Sequence, residues 1–200
     1  MKKVRKVKIY FDEKSSKYQI NSISFPWNII RKFEKRIVLS FLGKTKKLIV
    51  ADVGSGSGFY TKIILKDMPK ELYAIDNSYK MLSQIKEKKI KKVVQNIELL
   101  KLNKKFDKLI CAGLIEFTTK PLKALININK IAKKDATLVL LCPKDNFFGK
   151  IYKFFHLKNN LKINLFSISE IKYMLNKSKW KILKQDEFLF SMIFKLKKNV

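Results

Sequence analysis

Leu48-Ile-Val-Ala-Asp-Val-Gly-Ser-Gly-Ser-Gly58 is the stretch that decides the fold of this 200-residue chain. An apolar run leads into Asp52, and glycines then fall at every second position: Gly54, Gly56 and Gly58. Glycine adopts backbone angles closed to other residues and lets a ligand approach the main chain. A strand feeding such a loop, with a helix beyond it, predicts a nucleotide-type cofactor site at the carboxyl edge of an α/β sheet. The dinucleotide fingerprint G-x-G-x-x-G would place its third glycine where Phe59 stands, so the spacing here is a different one.

A second acid strengthens the inference. Glu71-Leu-Tyr-Ala-Ile75 reads as a short strand ending in Asp76-Asn77. In nucleotide-binding α/β units an acid about 20 residues past the glycines accepts hydrogen bonds from ribose hydroxyls. Asp76 lies 18 residues after Gly58. Ser78 suits the N-cap of the next helix, predicted from Ser78 to about Lys88.

The G-x-G-x-G spacing two residues after an acid resembles motif I of the class I S-adenosylmethionine-dependent methyltransferases. Asp76 with Ser78-Tyr-Lys-Met81 resembles that family's acid-x-Ser-x-x-Met opening of the second helix. Tyr10-Phe11-Asp12-Glu13 followed by Tyr18 resembles its amino-terminal signature, and Phe106-Asp107-Lys-Leu-Ile-Cys-Ala-Gly113 its fourth strand. The resemblance covers about residues 10 to 196. It implies a single-domain, three-layer α/β/α sandwich around a seven-stranded, mainly parallel sheet with an antiparallel last strand. It further implies S-adenosylmethionine as cofactor. Gly54, Ser55, Gly56 and Gly58 would shape the bed for its amino-acid end, and Asp52 would orient the loop or reach its amino group. Asp76 would hold the ribose, Asn96 and Ile97 the adenine. Asn77, Met81 and Ala112 complete the expected cofactor-binding positions, with Tyr18 lying over the methionine end. The chain departs from the pattern after strand four: relatives often carry Glu-His where this chain has Glu116-Phe117, which removes a general base from that position.

Working outward, residues 1–25 form a basic arm, and residues 26–200 the domain itself. Pro26 precedes a helix to about Leu42, in which Ile29, Ile30, Phe33, Ile37 and Phe41 recur near a helical period and Gly43 ends it. Further strands are predicted over Lys92–Gln95, Phe106–Gly113 and Ala136–Leu141. A helix opens at Pro121, another spans Ser169 to about Lys177, and two strands follow near Lys181–Lys184 and Phe188–Leu196. Cys111 and Cys142 lack metal-ligand spacing and read as reduced core residues. No metal is expected. No apolar run is long enough to cross a bilayer, and the charged start lacks the apolar core of a signal peptide, so a cytoplasmic protein is expected.

Net charge is +29, which raises nucleic acid or an anionic membrane as partners. Of 45 basic residues only Arg5, Arg31 and Arg36 are arginines, the better bidentate phosphate readers, and the lysines are scattered. Abundant Lys, Ile and Asn also match A/T-rich codons. Between residues 143 and 166 the chain departs from a minimal sheet-and-helix unit. Phe148, Ile151, Tyr152 and Phe155 share a helical face, either as a cap over an apolar acceptor or as an ordinary helix covering the core. A basic aromatic helix can also lie on an anionic bilayer. His156, the only histidine, is a candidate general base. The expected function is methyl transfer to a small, apolar or aromatic acceptor. The alternatives are methylation of RNA, and a catalytically silent subunit that binds a partner. Against RNA, strand four lacks the Asn/Asp-Pro-Pro-aromatic signature of amino-methylating nucleic-acid enzymes.

Overall fold

A computed structural model describes the backbone of residues 2–21 and 27–199 and the side chains of residues 5–14 and 28–199. Its centre is β1 (Ile49–Val53), flanked by parallel β2 (Glu71–Asp76) and β4 (Phe106–Ala112). The sheet extends to β3 (Ile90–Val94) on one side and to β5 (Ala132–Pro143), β7 (Ser191–Lys198) and β6 (Trp180–Phe188) on the other. The order is β3-β2-β1-β4-β5-β7-β6, and β7 runs antiparallel to both of its neighbours. This is the expected mainly parallel, seven-stranded architecture.

Alternation along the central strands explains the layers, since successive side chains point to opposite faces. Val50 and Ile110 face α2 (Trp27–Leu42), α3 (Phe59–Leu65) and α4 (Tyr79–Leu82), where they pack with Val38, Leu42, Ile64 and Leu82. Ala51, Val53, Leu109 and Cys111 face α5 (Pro121–Ile131) and α7 (Ile168–Lys177), packing with Leu125, Ile128, Ile171 and Leu175. Both faces are covered, which is why these strands read as continuous apolar runs. Cys111 and Cys142 are buried and free. Ser167 caps α7 through a reciprocal capping box with Glu170.

The remaining helices lie over the carboxyl edge of the sheet. The basic arm is helical: α1 spans Lys2–Asn21, and Asp12 Oδ1 accepts a hydrogen bond from the Ser78 hydroxyl. The helix α6 (Phe147–Lys158) follows β5, its first turn capped by Asn146. The predicted helix from Ser78 to Lys88 stops much earlier, at Leu82. Beyond it the chain turns so that Ile85 is fully buried under Gly58, and β3 starts at Ile90. The run 86–89, Lys-Glu-Lys-Lys, offers no apolar face to hold a longer helix against the sheet. β5 is longer than expected because its amino-terminal end continues from α5 without a loop.

Candidate functional site

At the carboxyl ends of β1, β2 and β4 a cleft of about 1080 Å³, mouth included, opens over the glycine loop. The loop is held by its own backbone: Gly54 and Ser55 N–H donate to the Ile75 carbonyl (2.7 and 3.1 Å). Gly54, Gly56 and Gly58 all have positive φ, at 76°, 52° and 85°. At Gly54 this conformation coincides with close approach: a Cβ would sit 2.8 Å from Leu114. Asp52 is buried and accepts from the Thr61 hydroxyl at 2.5 Å, tying the loop to α3. Burial pushes its pKa up to about 7, against the hydrogen bonds from Thr61. Among the described residues the buried Ser55 hydroxyl has no hydrogen-bond partner.

Asp76 ends β2 and looks into the cleft. Its Oδ2 accepts from Gly56 N–H (2.9 Å) and its Oδ1 from Ser78 N–H (2.9 Å). Burial still pushes its pKa up despite the backbone hydrogen bonds of Ser78, Gly56 and Asn77. Each carboxylate oxygen keeps acceptor capacity, so a pair of hydroxyl donors arriving there would offset the desolvation. Ser78 caps α4 by accepting from Met81 N–H at 3.0 Å. Asn77, Met81, Asn96, Ile97 and Ala112 line the same cleft. Asn96 spends its side-chain oxygen on Glu98 N–H (2.9 Å), capping the 3₁₀ turn Ile97–Leu99. Glu98 in turn accepts from Thr119 and Lys120. Burial raises its pKa, but those hydrogen bonds outweigh it and the net shift is downward.

One of the sequence-predicted cofactor positions, Gly58, falls outside the cleft lining. The Tyr18 side chain lies outside the described residues. Gly58 caps α3 and packs on the Ile85 side chain, where a Cβ would stand 2.8 Å from Cγ1, so its missing side chain serves packing beneath the loop. Several lining residues were absent from the expected set: Val7 and Phe11 of α1, Arg31 of α2, and Leu114 and Phe117 after β4. Phe11-Asp12 belongs to the amino-terminal signature, but the hydrogen bond of Asp12 with Ser78 at the start of α4 needs the tertiary fold.

A second, wider chamber of about 1450 Å³, mouth included, shares Phe11, Arg31, Tyr60, Ala112, Gly113 and Phe117 with the first. Its outer wall is α6. Tyr152 stacks on Phe190 (centroids 4.7 Å apart, 15° between planes), and His156 stands edge-on to both Tyr152 and Phe117, at 4.6 and 5.5 Å. Position 117 carries no base, but an imidazole from another element packs against it. Among the described residues His156 Nδ1 and Glu116 Oε2 are buried without hydrogen-bond partners. Burial pushes the Glu116 carboxyl up to about 8 and the His156 imidazole down to about 4, so both are neutral near pH 7. Glu34, which accepts from the Ser191 hydroxyl, also has its pKa raised by burial. Among the described residues no cluster of three His, Cys, Asp or Glu side chains is placed to hold a metal ion.

The family model described as a methyltransferase domain matches residues 51–140, from within β1 into β5. Solved structures that share this fold include an S-adenosylmethionine-dependent methyltransferase of Mesorhizobium loti, at a TM-score of 0.75 and 12% identity, covering 82% of this chain and 97% of its own. A tRNA U34 carboxymethyltransferase of Campylobacter jejuni subsp. doylei is 27% identical over 125 residues, 59% of this chain and 42% of that protein. A malonyl-[acyl-carrier protein] O-methyltransferase of Neorickettsia risticii is 26% identical over 98 residues, 47% of this chain and 39% of that protein. The alignments span less than half the length of these curated relatives. Magnesium protoporphyrin IX methyltransferase of Synechocystis PCC 6803, solved with bound SAH, shares the fold at a TM-score of 0.77 and 17% identity, covering 98% of this chain and 100% of its own. In the present chain, the glycine loop and Asp76 thus occupy the carboxyl edge of the sheet within the matched span.

Proposed function

We propose that the protein is an S-adenosylmethionine-dependent methyltransferase whose acceptor is a small apolar or aromatic molecule held in the chamber beside Phe117. One observation carries this: the glycine-loop cleft and the aromatic chamber meet across Phe11, Ala112, Gly113 and Phe117. The residues suit the cofactor on their own chemistry. A cradle that a Cβ at Gly54 would fill, a Ser55 hydroxyl without a partner among the described residues and a desolvated Asp76 carboxylate match an amino-acid end and a ribose diol. When bound, S-adenosylmethionine supplies a methyl group already activated on a sulfonium. The chain then has to bind, align and exclude water, and such orientation contributes roughly 7–11 kcal/mol in favourable cases. Asp76 accepts the ribose hydroxyls, with Asn77, Met81, Asn96 and Ile97 around the rest of the nucleoside. Neutral His156 offers Nδ1 as an acceptor for a hydroxyl or amine proton, and the protonated Glu116 carboxyl offers a donor. Residues 143–166 act as the cap of the acceptor chamber within one domain, and the cytoplasm is the expected location.

Calorimetry with S-adenosylhomocysteine tests cofactor binding, with Asp76→Ala as the paired variant. Equal binding by both, or none by either, would sink the assignment. Turnover on hydroxyl- and amine-bearing aromatics then separates an enzyme from a silent subunit. RNA as acceptor is favoured by the charge of +29 and by the tRNA-acting relative. A steep loss of RNA affinity with salt, together with methyl incorporation into RNA, would establish that alternative.

A further inference from the structure

The helix α6 turns two unlike faces to its surroundings. Tyr152 and His156 point into the chamber, while Phe147, Phe148, Ile151 and Phe154 are 72%, 48%, 40% and 55% exposed. Positions 147, 151 and 154 form one outward line, with 148 beside it, because residues three and four apart share a helix face. Only Gly149 of this helix is buried. The Leu189 turn extends the patch: Asn146 Nδ2 donates to the Leu189 carbonyl at 2.8 Å, and Leu189 is 42% exposed. Single exposed apolar side chains are ordinary, but a contiguous aromatic patch marks a contact surface. Along the helix itself the charge has one sign, with the exposed Asp145 just before it and Asp186 and Glu187 on the neighbouring strand, where Glu187 pairs with Lys144. From residue 146 to 166 the chain has no Asp or Glu, and Lys150, Lys153 and Lys158 are interleaved with the aromatics. Lys158 Nζ lies 4.8 Å over the Phe154 ring.

We propose that α6 docks on an anionic lipid bilayer, with Phe147, Phe148, Ile151 and Phe154 at the acyl boundary and the three lysines among the headgroups. A helix with an apolar aromatic face and a lysine-rich polar face lies in the interface plane in this way. A second copy of the chain would bring like charges together. A polynucleotide surface would favour arginine forks, and this segment has no arginine. The surface does not depend on methyl transfer, so the test needs no turnover.

Sedimentation with vesicles of phosphatidylglycerol and phosphatidylcholine, at about 0.15 M salt to suppress diffuse charge attraction, reads the interaction directly. The protein should pellet with anionic vesicles and stay in solution with pure phosphatidylcholine. The double variant Phe147→Ser, Phe154→Ser keeps every charge and alters only exposed positions. It should lose about tenfold or more in vesicle affinity with an unchanged melting temperature. Brominated acyl chains should quench the indole introduced by Phe154→Trp, measured against the parent protein. Equal pelleting of parent and double variant would overturn the proposal, since binding would then be diffuse charge alone. So would an unquenched indole, or binding of RNA or a second copy that the same substitutions abolish without any vesicle binding.

Discussion

Around the glycine loop, most polar groups are answered from within the chain: Asp52 by Thr61, Asp76 by Gly56 and Ser78, Glu98 by Thr119, with the Ser55 hydroxyl left over. Across Phe11 and Phe117 the balance reverses. Among the described residues Glu116 Oε2 and His156 Nδ1 are buried without hydrogen-bond partners, and neither group is charged near pH 7. A buried polar atom without a partner is costly, so these two are the groups a bound molecule would satisfy. Under the proposed function the two cavities would discriminate differently: the first by fixed backbone and carboxylate geometry, the second by apolar shape and two neutral polar groups, so that acceptor choice would fall to its walls.

The sharpest way to break this contrast is Asp76→Ala. Two lost charge-assisted hydrogen bonds to a diol should weaken S-adenosylhomocysteine binding about 100-fold, at roughly 1.5 kcal/mol or more per bond, and the Gly56 and Ser78 N–H groups left without their acceptor should lower the melting temperature as well. If the affinity fell less than about tenfold, the first cavity would not be a carboxylate-read site.

Gly54→Ala should be next in size. A Cβ 2.8 Å from Leu114 at φ 76° should cost roughly 1–3 kcal/mol of stability, read by denaturant unfolding, and weaken the same ligand. Gly58→Ala should cost stability through Ile85 yet leave affinity for the ligand closer to wild type, because Gly58 packs beneath the loop.

Glu116→Gln probes the second cavity by pH. The Glu116 pKa is raised on folding from the usual carboxyl value to about 8, so the folded state holds a proton that the unfolded state releases. Its stabilising share is complete below about pH 4.5 and is lost as pH rises through 8. The wild type should therefore lose stability relative to Glu116→Gln between pH 5 and 8, by an order of about 1–2 kcal/mol after solvent relaxation, at ~1.4 kcal/mol per pKa unit. Parallel curves across that range would place Glu116 in a wetter site.

The smallest expected effect is at His156. With its pKa lowered by burial to about 4, the imidazole has no titration between pH 6 and 9. His156→Gln should change turnover less than about tenfold and leave the pH profile over that range unshifted, since the neutral ring mainly accepts a hydrogen bond. A lost limb near pH 6.5 in the variant would show an imidazole that titrates in water and acts as a base.

Much of the fold was legible because its signals are local. Strand, glycine turn, capping serine and acid all lie within residues 48–81, and each needs only its near neighbours to be satisfied. The failures occur where distant contacts override local preference. The helix after Ser78 stops at Leu82 because Ile85 is drawn under Gly58, and Gly58 itself is committed to that packing. The segment 147–158 was legible as an amphipathic helix. Which of its aromatics face inward was not, since Phe148 and Phe155 remain half exposed while Tyr152 stacks on Phe190 from the β6–β7 turn.

The amino-acid sequence alone determined the sheet class, the glycine loop at its carboxyl edge and the acid that ends the second strand, because backbone conformation and period-two burial are written in neighbouring residues. The tertiary structure decided how α1, α2 and α6 enclose the second chamber. Glu34, Glu116 and His156 come from three separate elements, and only the long-range packing of those elements sets their burial and therefore their charge.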